Sequence, residues 1–306
     1  MMALNGVPVD EVIHTIEQYS HGETRRLRKH MTTLLFSQWL YTLYGWKDDF
    51  EISFNEHNVN VSLKATDEWT SLEINTVQYN RLEFIEDVAY LRLNSFDVDE
   101  HLDAYEHFID QTFTTIKERK IDKLIVDVRG NTGGQSDAGA YVLQYLTNKP
   151  LNQVSRAYER IHEENAGWFH YKGTPGTLIE MNMDDEDIIQ PVASDKRFDG
   201  EVLVLSDEMT YSAGIIFITN VQDHKIATLI GRPTGGYANQ TGNIEAFRLP
   251  NTKLLVYAPA RTFVRVNGDS TSHPVKPDVI LMQADSSYKG TDYILDFALE
   301  RLSKKR

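Results

Sequence analysis

The residue that most invites chemistry is Ser212. It follows an apolar strand and a short polar turn in VLVLSDEMTYSAGIIFITNVQD, and it opens an apolar helix. A hydroxyl at a helix start lies beside free backbone amides and the positive end of the helix dipole, where a developing anion is stabilised. Serine is equally a preferred N-cap, so position alone fits a cap or a nucleophile. Two glycine-rich turns bear on the choice. In DVRGNTGGQSDAG, the glycines Gly130, Gly133 and Gly134 follow a buried-type strand and permit the positive φ and close backbone approach that an exposed amide donor requires. Such a loop suits an oxyanion hole, although an ordinary strand-to-helix turn has the same composition. A Walker-type phosphate loop is excluded because no Gly-Lys-Ser/Thr follows. In IATLIGRPTGGYANQTG the device recurs at Pro233, Gly235 and Gly236, a turn suited to lining a cleft.

Other polar residues read as supports. Asp127 and Arg129 are expected to brace the Gly loop, Asp278 to fix the last strand, and Asp207 with Glu208 to form a solvated turn. The aromatic group Trp39, Tyr41, Tyr44 and Trp46 reads as core rather than as a ligand box. No His, Asp or Glu spacing resembles a metal site, and no cofactor is expected.

Positioning these residues takes an ordered scaffold. Strands at 88–93, 123–128, 202–205 and 226–230 alternate with helices at 101–118, 136–146 and 212–221, the signature of an α/β domain. KLIVDV is nearly all apolar, as expected of a strand covered on both faces. Ahead of this domain lie a helix in NGVPVDEVIHTIEQYS, a second at 34–44, and a hairpin formed by DFEISFNE and NVNVSLKA, with a boundary in 66–75. Behind it, TKLLVYAPA and RTFVRVNG read as a hairpin-like pair, and a helix at 292–302 closes the chain. Segments 182–187 and 267–272 are the nearest things to linkers.

Composition narrows the partners. The 306 residues carry 45 acidic against 31 basic side chains, a formal charge of −14 that repels phosphate backbones and anionic lipid. Nucleic acid is therefore not an expected partner. There is no cysteine, which excludes disulfides and thiolate chemistry. No apolar run approaches a membrane span, and MMALNGVPVDEV lacks the basic and apolar regions of an export signal.

Taken in order, VAYLRLNSF, DVRGNTGG, VLVLSDEMTYSAGIIF, GRPTGG and HPVKPDV resemble the tail-specific, or C-terminal processing, serine protease family over about 88–281. The earlier ALNGVPVDEVI looks like the end of that family's PDZ-like peptide-binding segment. The resemblance implies an α/β, crotonase-like core at 71–306 behind a smaller, partial PDZ-like α+β segment at 1–70. It implies Ser212 as nucleophile, the Ala213 amide as one oxyanion donor, and a second donor in the pair Gly133 and Gly134. A peptide or protein substrate and an extracytoplasmic address follow from the same likeness, and a homo-oligomer is compatible with it.

The base departs from the pattern. Where the Ser-Lys branch has its lysine this chain has Tyr237, so the turn is closer to the branch that includes the tricorn core and the interphotoreceptor retinoid-binding protein. There, a histidine from an N-terminal segment is the base and a glutamate near the closing PD orients the site. Thr271 and Ser272 occupy that neighbourhood, and the adjacent His273 is the histidine we single out as a base. Tyr237 reads as a pocket wall, since a phenol ordinarily titrates near 10. The histidine-bearing segment is expected upstream of residue 1, so weak turnover is expected of the chain by itself. A second reading is a catalytically impaired relative that binds peptides or small hydrophobic ligands; a third is acyl-CoA chemistry on the shared fold.

Overall fold

The computed structural model describes residues 3–54, 59–64, 80–163, 165–166, 171–181, 188–282 and 292–304. Two compact units divide the chain, Met1–Asn75 and Thr76–Arg306. The boundary expected after residue 70, and the linker at 182–187, lie outside the described residues.

In the first unit β1 (Ala3–Leu4) and β2 (Val7–Pro8) form a tight hairpin. Asn5 and Gly6 turn it with φ of 48° and 78°, the mirror-image turn that matches strand twist. Then come α1 (Val9–Tyr19), α2 (Arg25–Leu34), α3 (Phe36–Tyr44), β3 (Phe50–Phe54) and β4 (Val59–Leu63). β3 and β4 pair antiparallel, and the sheet order is β2-β1-β3-β4. Leu4, Val12, Ile16 and Leu40 make the core, with Trp39, Tyr44 and Trp46 packed on it; Tyr41 is exposed. The helix α2 escapes an apolar-periodicity reading because RRLRKHMTTL buries only Leu27 and Thr32. Its start is fixed by Thr24, whose hydroxyl accepts the Leu27 amide at 3.2 Å.

The second unit opens with β5 (Arg81–Ile85), β6 (Val88–Arg92), α4 (Leu102–Glu118), β7 (Lys123–Asp127) and α5 (Ser136–Leu146). Short strands follow: β8 (Leu151–Asn152), β9 (Arg156–Arg160), β10 (Leu178–Glu180) and β11 (Ile188–Ile189). The chain continues through β12 (Glu201–Ser206), α6 (Ala213–Asp223), β13 (Thr228–Gly231), β14 (Gln240–Arg248), β15 (Leu255–Val264), β16 (Val279–Ile280) and α7 (Tyr293–Ser303). The main sheet has the order β16-β13-β12-β7-β6-β5 and is parallel except where β5 meets β6.

Alternation along β7 explains the layers. Leu124 and Val126 face a core shared with α4, α5 and α6, whereas Ile125 faces one shared with α7 residues Ile294, Ala298 and Leu302. Both faces are covered, as the apolar run implies. A second sheet has the order β10-β9-β15-β14. Here the expectation of a pair is corrected: LVYAPARTFV runs unbroken as the single strand β15, whose partners are β14 and β9. The hairpin turn lies earlier, between Arg248 and Leu255.

Candidate active site

The carboxyl ends of β6, β7, β12 and β13 lie side by side in the sheet, so the loops that follow them meet at one edge, where open α/β sheets place their sites. Each loop is held by named contacts. After β6, the Phe96 amide donates to the Gly133 carbonyl at 2.9 Å and the Phe96 carbonyl accepts the Gln135 amide at 2.8 Å. After β7, Asn131 is fully buried; its Nδ2 donates to the Leu93 carbonyl at 3.0 Å and its Oδ1 accepts the Gly133 amide at 2.9 Å. After β12, the Tyr211 amide donates to the Asn131 carbonyl at 2.9 Å. After β13, a side chain added to Gly236 would lie 2.5 Å from the Tyr211 ring, so that turn packs on the residue preceding Ser212.

Ser212 sits at the N-cap of α6 with φ 49° and ψ −122°, and its hydroxyl makes no capping bond. Few non-glycine residues hold such a conformation, which costs of order 1–3 kcal/mol and persists only where the surroundings enforce it. Gly133, at φ 102°, provides the space: a Cβ there would lie 2.6 Å from Ser212 Cβ and 2.9 Å from the Ala213 nitrogen. The amides of Ala213 and Gly134 make no hydrogen bond among the described residues, whereas that of Gly133 is taken by Asn131. A serine on a strained strand-to-helix turn, beside free amides, is the arrangement of a nucleophile elbow.

Beneath the loops lies a charged network. Asp127, fully buried, accepts from the Tyr90 hydroxyl at 2.7 Å, Arg92 Nη1 at 2.6 Å and Arg129 Nη2 at 2.6 Å. Burial opposes its charge, but Arg129 and Arg92 prevail and hold the carboxyl below the usual range. Burial and then Asp127 push the Tyr90 phenol up to about 12. Arg129 also grips Asp292, the N-cap of α7, through bonds of 2.7 and 2.6 Å. The pair thus braces the Gly loop and ties it to α7.

Asp207 corrects a sequence expectation. Instead of a solvated turn, its Oδ1 gathers the amides of Gly130 at 2.9 Å, Met209 at 2.9 Å and Thr210 at 3.1 Å, joining the Gly loop to the turn that carries Ser212. Burial raises its carboxyl above the ordinary range despite these donors. Glu208 pairs with Arg232 Nε at 2.6 Å. Asp278 accepts the Leu229 amide at 2.8 Å, which fixes the end of the sheet as expected.

His273 and Tyr237 lie together, in the paired segments that follow β13 and precede β16. The Ala238 amide donates to the His273 carbonyl at 2.8 Å, and Tyr237 bridges to Pro274. The His273 ring is already engaged, Nε2 with Asp269 Oδ2 at 2.9 Å and Nδ1 with the Pro274 carbonyl at 3.2 Å. Among the described residues neither it nor any other side chain hydrogen-bonds the Ser212 hydroxyl. No cluster of metal-ligating side chains occurs among the described residues. Asn131 was not singled out by sequence, and Asp207 was read only as part of a solvated turn; an Asn inside a Gly-rich turn and an Asp just after a strand are the local signals that mark them.

A mixed α/β unit with a strained serine facing glycine-backed amides at the sheet's carboxyl edge is the build of a serine hydrolase. The model of peptidase family S41 matches residues 87–281, and the chain belongs to that family. The tail-specific protease of Haemophilus influenzae is 25% identical over 191 residues, covering 60% of this chain and 23% of that protein, so the chain spans under a quarter of that relative. Mature CPAF complexed with lactacystin shares the fold at a TM-score of 0.69 and 15% identity, over 99% of this chain and 77% of that one. A putative peptidase from Parabacteroides merdae aligns at a TM-score of 0.51 and 19% identity, over 99% and 91%.

Proposed function

We propose that this chain is a serine peptidase that cleaves peptide bonds through an acyl-enzyme on Ser212. The observation that carries this is the φ of 49° at Ser212, held against Gly133 with no capping bond to account for it. The hydroxyl oxygen attacks the scissile carbonyl carbon, its proton passes to a base, and the amides of Ala213 and Gly134 receive the oxyanion. Expulsion of the amine leaves the ester, which water then hydrolyses. Losing one such donor typically lowers the rate by about 10²- to 10³-fold.

The second unit is read as crotonase-like, supported by its helix-backed parallel sheet, and the first as a partial PDZ-like piece. Its edge strand β4, exposed along its length, suits addition of an extended peptide. No described helix is long and apolar enough to cross a membrane; an extracytoplasmic address rests on the likeness to tail-specific proteases. A fluorophosphonate probe tests the nucleophile: labelling should map to Ser212 and vanish in Ser212→Ala. An adduct on Ser206 or Ser136 instead would reject the assignment. Running His273→Ala and Tyr237→Phe beside it on unstructured peptides identifies a base if one of them loses turnover while keeping its fold.

A further inference from the structure

Because α4, α5 and α6 connect parallel strands, all three run back and end at the amino edge of the main sheet, the edge opposite Ser212. Helix C-termini favour cations, and the sequence supplies them. Lys117 lies in the last turn of α4, Lys120 just beyond it, Lys149 beyond α5 and Lys225 beyond α6. The connection ASDKRFDG before β12 adds Lys196 and Arg197, which cap no helix.

Two grooves flank that connection and share Arg197 to Gly200. One, of ≈ 410 Å³, is lined by Lys117, Lys120, Lys196 and Arg197; the other, of ≈ 260 Å³, by Lys149, Arg197 and Lys225. Six cations and two carboxylates, Asp122 and Asp199, line these two grooves in a chain of formal charge −14, while an adjoining cavity shares Lys117, Lys120 and Lys196 and adds Asp110, Glu118 and Asp195. Within the two groove linings alone, three helix ends at roughly half a negative charge each leave an excess of roughly two positive charges. None of the six forms an ion pair among the described residues, and Arg197 Nε is buried without a hydrogen-bond partner. A buried donor lacking an acceptor is costly, so the groove is built for one to arrive.

We propose that this paired groove binds an acidic peptide segment carrying apolar side chains between its carboxylates. Half-buried Ile121 and Phe198 supply the apolar floor. Nucleic acid fits less well. Five of the six cations are lysines rather than planar arginine forks, and the −14 charge of the chain repels a long polyanion. On the peptidase reading the groove is a docking site that holds an acidic stretch of a protein substrate away from Ser212. Binding itself does not depend on that reading.

The test is fluorescence anisotropy of a fluorescein-labelled peptide of alternating Glu and Leu, titrated with the Ser212→Ala chain so that nothing is cleaved. Saturable binding is expected, weakened by salt and at least about tenfold by the double reversal Lys196→Glu, Arg197→Glu. Lys64→Glu, in the first unit, should leave it unchanged. Should the double reversal not fold, Lys117→Ala and Lys225→Ala give the same reading at exposed positions. No saturable binding, equal weakening by Lys64→Glu, or displacement at lower concentration by a single-stranded DNA of equal charge would overturn the proposal. Binding by the wild-type chain, if the fluorophosphonate probe leaves no adduct on its Ser212, would reject the peptidase reading and keep the groove.

Discussion

Asp207 gives the sharpest test among single residues, since one oxygen gathers three amides from two loops. Burial raises its pKa, so in the folded protein the charge is disfavoured and stability falls as pH rises through the shifted range. What the site needs is the acceptor rather than the charge. Asp207→Asn should keep the melting temperature and most of kcat, whereas Asp207→Ala should leave buried amides unpaired at about 1–3 kcal/mol. That loss corresponds to roughly 2–4 °C in Tm per kcal/mol in a unit of this size, with kcat falling more than KM rises. Equal effects of the two variants would remove Asp207 from the positioning of the site. The glycines divide in a similar way. A Cβ at Gly133 meets Ser212 at 2.6 Å, but one at Gly134 meets the Phe96 backbone at 2.1 Å. Both Gly133→Ala and Gly134→Ala should therefore abolish turnover and lower Tm, because each glycine holds a positive φ and a Cβ there meets backbone atoms, with the larger loss of Tm at Gly134→Ala; thermal melts beside peptide assays measure both. Ser212 and the glycines were legible in the sequence because helix starts and positive-φ turns are written locally. Asp207 was misread because the partner that ties it to the Gly loop, Gly130, comes after another strand.

At the scale of elements, the alternation of strands and helices from Val88 onward was legible because both periods are local and the strands are covered on both faces. The single long β15 was not, because Pro259 suggests a break that only its pairing with β14 and β9 overrides. Nor could sequence show that the turn after β13 is fastened to the closing loop. Thr234, almost fully buried, donates to the Gly236 carbonyl at 2.7 Å and accepts the Val275 amide at 2.9 Å. Thr234→Val keeps the shape and removes both bonds. It should cost about 1–3 kcal/mol, read as a lower urea midpoint, and should loosen the packing of Gly236 on Tyr211 enough to slow turnover. A variant with unchanged midpoint and rate would show the fastening to be incidental.

For the molecule as a whole, acid stability follows from Asp127. Its folded pKa lies below the unfolded value near 4, so the stability it contributes is present above that value and is lost as pH falls through the folded one. Asp292, likewise depressed by Arg129 against the effect of burial, acts in the same direction. Unfolding free energy should drop between about pH 5 and pH 2. Asp127→Asn should flatten that slope while costing about 3–5 kcal/mol at neutral pH, because Arg92 and Arg129 are left without their buried counter-charge. A variant whose urea midpoint keeps the wild-type pH dependence would place the acid sensitivity elsewhere. The grip of Arg129 on Asp292 reaches across 163 positions, from the loop beside Ser212 to a helix near the end of the described chain. During synthesis Ser212 and both glycine turns leave the ribosome before that helix exists. Nascent chains arrested ahead of Asp292 should therefore refuse the fluorophosphonate label that chains extended through α7 accept, which on the peptidase reading keeps the Ser212 site unassembled until that helix has been made.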